Sequence, residues 1–182
     1  LSGRFLEAQG GAGAIVYDLR SSHCVHDAIS QAGGTPVRSR VGHVFMKQKM
    51  AEHDAVFGGE LSGHFYFRDN WYADSGAMAF ALVASALACE DRSLSDCIAP
   101  FRDRSQSGEI NFETPDKQAA MDALKAAYPD AEIDELDGVT VDLGQWWCNV
   151  RASNTEPLLR LNLEGPDEAT VQARVADVAV LL

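Results

Sequence analysis

Two short apolar runs, Ala14-Ile15-Val16-Tyr17 and Ala55-Val56-Phe57, carry none of the polar alternation of a strand with one wet face. Runs that are apolar on both sides belong to a sheet covered on both faces, which means the parallel or mixed sheet of an α/β protein. The residues between them fit that reading. Residues 21–32 have helical character, with Ser21 or Ser22 as a cap and Gly33-Gly34 as the stop, and a second strand follows over Thr35–Arg38. Phe45, Met46 and Met50 then fall at helical spacing within Val44–Ala51. Strand, helix, strand, helix, strand is the α/β pattern, and Asp18-Leu19-Arg20 and Gly58-Gly59 mark the ends of its first and third strands.

Phe65-Tyr66-Phe67 and Trp71-Tyr72 read as an aromatic, strand-like continuation. Gly76–Cys89 reads as a buried helix capped by Asp74 or Ser75, and residues 94–104 as one more short helix. The small polar run Ser105-Gln106-Ser107-Gly108 marks a domain boundary, after which the pattern changes. Glu109–Glu113 reads as a strand and Asp116–Tyr128 as a helix. Three short strands follow near 131–136, 138–143 and 145–150, with turns at Asp137-Gly138 and Leu143-Gly144. After the polar loop Arg151–Pro157 come a strand at Leu158–Leu163 and a final helix from Asp167. The expected fold is α/β, with a mixed α/β sheet domain over residues 1–104 followed by a smaller α+β domain over residues 108–182.

The formal net charge of -12 repels a phosphate backbone, so neither nucleic acid nor an anionic membrane surface is an expected partner. An anionic ligand would need a local pocket. The stretch Gly76–Cys89 falls short of the roughly 20 apolar residues of a membrane span, and LSGRFLEAQGG shows no secretory pattern. Cys24, Cys89, Cys97 and Cys148 form no CxxC pair, which fits a reducing cytoplasm better than a disulfide framework or a zinc ribbon.

The segment Gly58-Gly59-Glu60-Leu61-Ser62-Gly63-His64 follows a buried strand, at the sheet end where open α/β sheets bind ligands. If it is extended, Glu60, Ser62 and His64 share one face and offer a carboxylate, a hydroxyl and an imidazole to sugar hydroxyls. From spacing alone the same residues also read as a glycine turn with solvated side chains. Arg151-Ala152-Ser153-Asn154-Thr155-Glu156-Pro157 gathers a guanidinium, two hydroxyls and an amide, a phosphate cradle that needs no metal, although such residues more commonly make a capped surface turn. His43 with Lys47 places two basic groups at a helix start, an anion-friendly position that is more commonly just a solvated helix end. His23-Cys24-x-His26 lacks a second cluster at zinc spacing, Trp146-Trp147 reads as structural, and Asp130–Asp137 reads as a half-exposed strand rather than a calcium loop.

Taken together, GELSGH and RASNTEP, in that order, resemble the sugar-specificity and phosphate loops of the α-D-phosphohexomutases, of the phosphomannomutase/phosphoglucomutase type. Supporting matches are YDLR, AGGTPV, VGHVFMKQKM, FYFRDNWYADSG and EPLLRLNLE, and the likeness covers the chain from Ala14 onward. The resemblance implies family domains 3 and 4, with Glu60, Ser62 and His64 holding sugar hydroxyls, and Arg151, Ser153, Asn154 and Thr155 gripping the phosphate that is not transferred. His43 looks like a further active-site histidine. Arg20 falls where many relatives have a lysine, which keeps the charge but changes its shape.

The same resemblance implies a mutase that interconverts hexose 1- and 6-phosphates, of mannose or glucose, through a bisphosphorylated hexose. The family's phosphoserine loop and its DGDxDR magnesium loop belong to earlier domains, and neither motif stands in this sequence. The chain is therefore expected to be an inactive C-terminal portion of a longer, Mg2+-dependent mutase whose N-terminal domains are its partners. A naturally truncated, non-catalytic sugar-phosphate binding or regulatory module is the alternative.

Overall fold

The computed structural model describes Gly3, Leu6, residues 10–153 and residues 156–182. The chain divides into two compact units, Leu1–Phe101 and Arg102–Leu182.

The first unit is built on a five-stranded sheet in the order β2-β1-β3-β4-β5: β1 (Ala14–Asp18), β2 (Thr35–Ser39), β3 (Phe57–Gly59), β4 (Phe65–Phe67) and β5 (Ala73–Asp74). β1 runs parallel to β2 and β3, while the β3–β4 and β4–β5 pairs are antiparallel, so the sheet is mixed. The helices are α1 (His23–Gln31), α2 (His43–Glu52), α3 (Gly76–Ala88) and the short α4 (Leu94–Ile98). Ser22 caps α1 by accepting from the Cys24 N–H, and Gly33, at φ +81°, ends the helical segment.

Alternation along β1 splits the core in two. Ile15 and Tyr17 pack with Ile29 of α1, Phe57, Phe67 and Ala79 of α3. Val16 points the other way, onto Met46 and Met50 of α2 together with Tyr66. Gly58 lies in register between Val16 and Tyr66 on that second face. A Cβ on Gly58 would stand 2.7 Å from Met50 Sδ, so the missing side chain is what lets α2 close on the sheet.

The second unit is an antiparallel sheet in the order β6-β10-β9-β8-β7: β6 (Ser105–Glu113), β7 (Glu132–Asp134), β8 (Val139–Asp142), β9 (Trp147–Ala152) and β10 (Leu158–Gly165). Helices α5 (Lys117–Ala127) and α6 (Glu168–Ala179) supply Leu124, Val171 and Val178 to a core with Leu159, Leu161, Leu163, Cys148 and Val150. Burying each such side chain contributes about 1.5–3 kcal/mol before ordering entropy is charged against it. By the same alternation Arg151 and Arg160 fall on the opposite face of the sheet, directly across from each other.

Several elements differ from the sequence expectation. Ser105–Gly108, expected as a domain boundary, forms the start of β6. Trp71 and Tyr72 are not in a strand: they take left-handed φ values of +53° and +56° after a 3-10 turn at Arg68–Asn70. Helix α3 is not buried, since Ala79 is its one buried residue and Phe80 is 76% exposed. Residues 94–104 divide into α4 and a 3-10 turn at Ala99–Phe101. Among the described residues no helix is long and apolar enough to cross a membrane.

Candidate functional site

The C-terminal ends of the parallel strands β2, β1 and β3 lead into Arg40-Val41-Gly42, Leu19-Arg20 and Glu60-Leu61, and the first polar cluster forms there. Asp18, fully buried, is its base. One carboxylate oxygen accepts from Arg20 Nη2 at 2.7 Å and from the Leu61 N–H at 2.9 Å, so the end of β1 holds the β3–β4 connection in place. Arg20 is thus committed to an ion pair with Asp18.

Glu60 is only 7% exposed. It accepts from the Tyr66 hydroxyl through Oε1 at 2.5 Å and from the Gly42 N–H through Oε2 at 3.1 Å. Burial, and then the bond to Glu60, holds the Tyr66 phenol well above its ordinary pKa. The connection itself is a tight turn rather than the extended segment expected from alternation. Gly63 N–H donates to Glu60 O, Glu60 N–H donates to His64 O, each at 2.9 Å, and Gly63 adopts φ +85°. The turn, not strand periodicity, returns His64 beside Glu60.

Ser62 Oγ and His64 Nδ1 are 3.0 Å apart. His43, the first residue of α2, stands edge-on to His64 with ring centroids 4.5 Å apart, and its Nδ1 lies 3.7 Å from Asp74 Oδ1. One ligand atom from each of His43, Glu60 and His64 lies within 4.8 Å of the others. Four of the expected residues, His43, Glu60, Ser62 and His64, therefore come together in one place with Arg20 at its base. An acceptor carboxylate beside two imidazoles and a hydroxyl can sort hydroxyl donors from acceptors. Among the described residues His23, Cys24 and His26 form no metal-capable group.

The second cluster lies in the other unit. Arg151, at the end of β9, donates through Nη2 to Glu109 Oε2 at 2.8 Å, and Arg160 Nη1 stands 3.4 Å from Glu109 Oε1. Two guanidinium groups directly opposite on neighbouring strands repel unless an anion bridges them, and Glu109 supplies one. Ser153 is 6% exposed, and among the described residues neither its Oγ nor Arg151 Nε has a hydrogen-bond partner. Buried polar atoms without a partner are uncommon, and these two lie beside the loop expected to take phosphate. Lys117 Nζ donates to Ser153 O at 3.0 Å and to Glu156 O at 2.8 Å, tying the two sides of the loop to the start of α5. Asn154 and Thr155 lie outside the described residues.

Sequence reasoning missed Asp18, Tyr66, Glu109, Lys117 and Arg160 as members of these clusters. Each is distant in sequence from the loop it serves or is hidden in an ordinary strand or helix pattern. Strand register alone pairs Arg160 with Arg151, and no local motif announces that.

Residues 1–103 match the family described as "Phosphoglucomutase/phosphomannomutase, alpha/beta/alpha domain III", and residues 109–181 match "Phosphoglucomutase/phosphomannomutase, C-terminal domain". The chain is 44% identical over 168 residues to a phosphomannomutase of Methanocaldococcus jannaschii, covering 92% of this chain and 37% of that protein. It is 42% identical over 179 residues to a protein of Xanthomonas campestris called phosphohexose mutases, covering 96% and 40%. A crystal structure of a phosphoglucomutase/phosphomannomutase family protein from Burkholderia thailandensis superimposes with a TM-score of 0.82 at 27% identity, covering 97% of this chain and 38% of that one. The chain thus spans about two fifths of the length of the curated relatives it matches.

Proposed function

This chain belongs to the phosphoglucomutase/phosphomannomutase family, and from that premise we propose that it is the sugar-reading and phosphate-holding portion of a hexose-phosphate mutase acting on mannose or glucose phosphates. The observation that carries this reading is the convergence of His43, Glu60 and His64 at the end of the parallel strands. In the proposed reaction the hexose passes through a bisphosphorylated form and presents either end in turn. The chain's own residues hold and orient it. Glu60 accepts a sugar hydroxyl, Ser62 and His64 complete the hydroxyl contacts, and His43 lies beside them. In the second unit Arg151, the open Ser153 Oγ, and by resemblance Asn154 and Thr155, take the phosphate that is not moving. Such positioning and charge matching supply much of the acceleration in phosphoryl transfer.

Magnesium supplies charge neutralisation to the transferring phosphoryl group in enzymes of this chemistry. The metal-capable group among the described residues has two imidazoles and one carboxylate, a poor match to an ion that demands oxygen ligands. Magnesium is accordingly assigned to parts of a longer protein, as is the phosphoryl donor, and this chain alone is proposed to be inactive. The four free thiols support a reducing, cytoplasmic setting.

The test is Arg151→Ala in a full-length mutase carrying this segment, assayed with mannose 1-phosphate and glucose 1-phosphate. The expected result is a loss of about two orders of magnitude in kcat/KM for both, the size of a lost charge-assisted phosphate contact. An unchanged kcat/KM for either sugar removes Arg151 from the phosphate site.

A further inference from the structure

We propose that His43, Glu60 and His64 form a binding site for a single zinc-type divalent transition metal. Two imidazoles and one carboxylate are a recurrent ligand set for zinc that keeps a further position open. The three groups come from two backbone segments already tied together: the Gly42 N–H at the start of α2 donates to Glu60, and Glu60 and His64 are bonded across the β3–β4 turn. The ligand atoms are thus brought within 4.8 Å of one another before any ion arrives.

The surrounding groups suit this role. Nδ1 of His64 has Ser62 Oγ at 3.0 Å, and Nδ1 of His43 has Asp74 Oδ1 at 3.7 Å. With its Nδ1 engaged by Ser62, His64 is assigned to the metal through Nε2, and Ser62 acts as the outer partner that fixes that ring's orientation, while the Asp74 carboxylate stands near His43 without a direct hydrogen bond. Each Glu60 oxygen accepts one hydrogen bond in the structure, which leaves a lone pair on each for the ion. Zinc–ligand bonds of about 2.0–2.2 Å require the ligand atoms to close to roughly 3.4 Å. The side chain of His43 is 48% exposed, so its ring has room to make that movement. A hard, oxygen-seeking ion such as Mg2+ has no corresponding reason to prefer the site.

The site rests on these atoms and not on the mutase reading. An ion held there would take the same groups that the mutase reading gives to the sugar.

The experiment titrates Co2+ and then Zn2+ into the metal-free 182-residue chain with its thiols kept reduced. One equivalent of Co2+ is expected to give visible absorption of low-coordinate nitrogen and oxygen ligation without thiolate charge-transfer bands, displaced by Zn2+ and not by Mg2+. His43→Ala and His64→Ala should each weaken zinc binding by about tenfold or more, whereas His26→Ala leaves it unchanged. Circular dichroism melts matching the parent chain establish that the variants are folded. Absence of saturable binding, affinity unchanged from the parent chain in both folded cluster variants, or thiolate charge-transfer bands on cobalt binding would each overturn the assignment.

Discussion

Glu60 is buried with both oxygens engaged, and the Tyr66 hydroxyl is its shortest contact. Replacing that donor leaves a buried carboxylate one hydrogen bond short, so Tyr66→Phe is expected to cost about 1.5–3 kcal/mol in urea unfolding, the usual range for a hydrogen bond to a charged group. Because the phenol titrates above its ordinary value in the folded chain, the unfolded chain loses that proton first, above about pH 10. The stability owed to the neutral phenol is whole below that pH and declines as pH rises, and Tyr66→Phe should flatten the decline. An equally steep alkaline loss in the variant would show that Tyr66 is not its source. Of this site, Glu60, Ser62 and His64 are visible in sequence because polar residues after a buried run stand out, His43 by its place at a helix start, and Arg20 through the family resemblance. Asp18 and Tyr66 are not, since one reads as a strand end and the other as one more aromatic.

At the scale of elements, helix α5 acts on the phosphate loop through one side chain. Lys117→Met keeps the apolar stem but removes the donor to Ser153 O and Glu156 O. The expected loss is about 1 kcal/mol for this partly exposed group, with faster amide exchange at Ser153; unchanged exchange would show that the loop stands without Lys117. The strands and helices of both sheets were legible where caps and periodicity agreed, as at Ser22, Ser75 and Asp167. The failures have physical causes. The apolar composition of α3 suggests burial, yet composition does not say whether a covering element is at hand. Ser105–Gly108 reads as a break between domains because its residues are small and polar, but it opens the edge strand β6, where Ser105 and Gln106 pair with β10. The aromatic pair at 71–72 has strand propensity that the preceding 3-10 turn overrides.

At the scale of the whole molecule, the described residues give each unit a core of its own: one cluster is filled by residues from Ala120 to Val178, and two others by residues from Leu6 to Ala79. Residues 102–182 alone are therefore expected to unfold cooperatively in urea with a slope of about 1 kcal/mol/M, while a broad, slope-less transition would show that this core is insufficient. The three tryptophans divide along the same line. Trp71 is 87% exposed, whereas Trp146 and Trp147 are buried, the latter with its indole N–H on Glu164. Ultraviolet emission consequently carries two colours: a long-wavelength part from the first unit that a dissolved quencher such as iodide can reach, and a short-wavelength, shielded part from the second. Each unit thus comes with its own natural dye, and the loss of either fold can be followed by eye of the spectrometer without attaching a label.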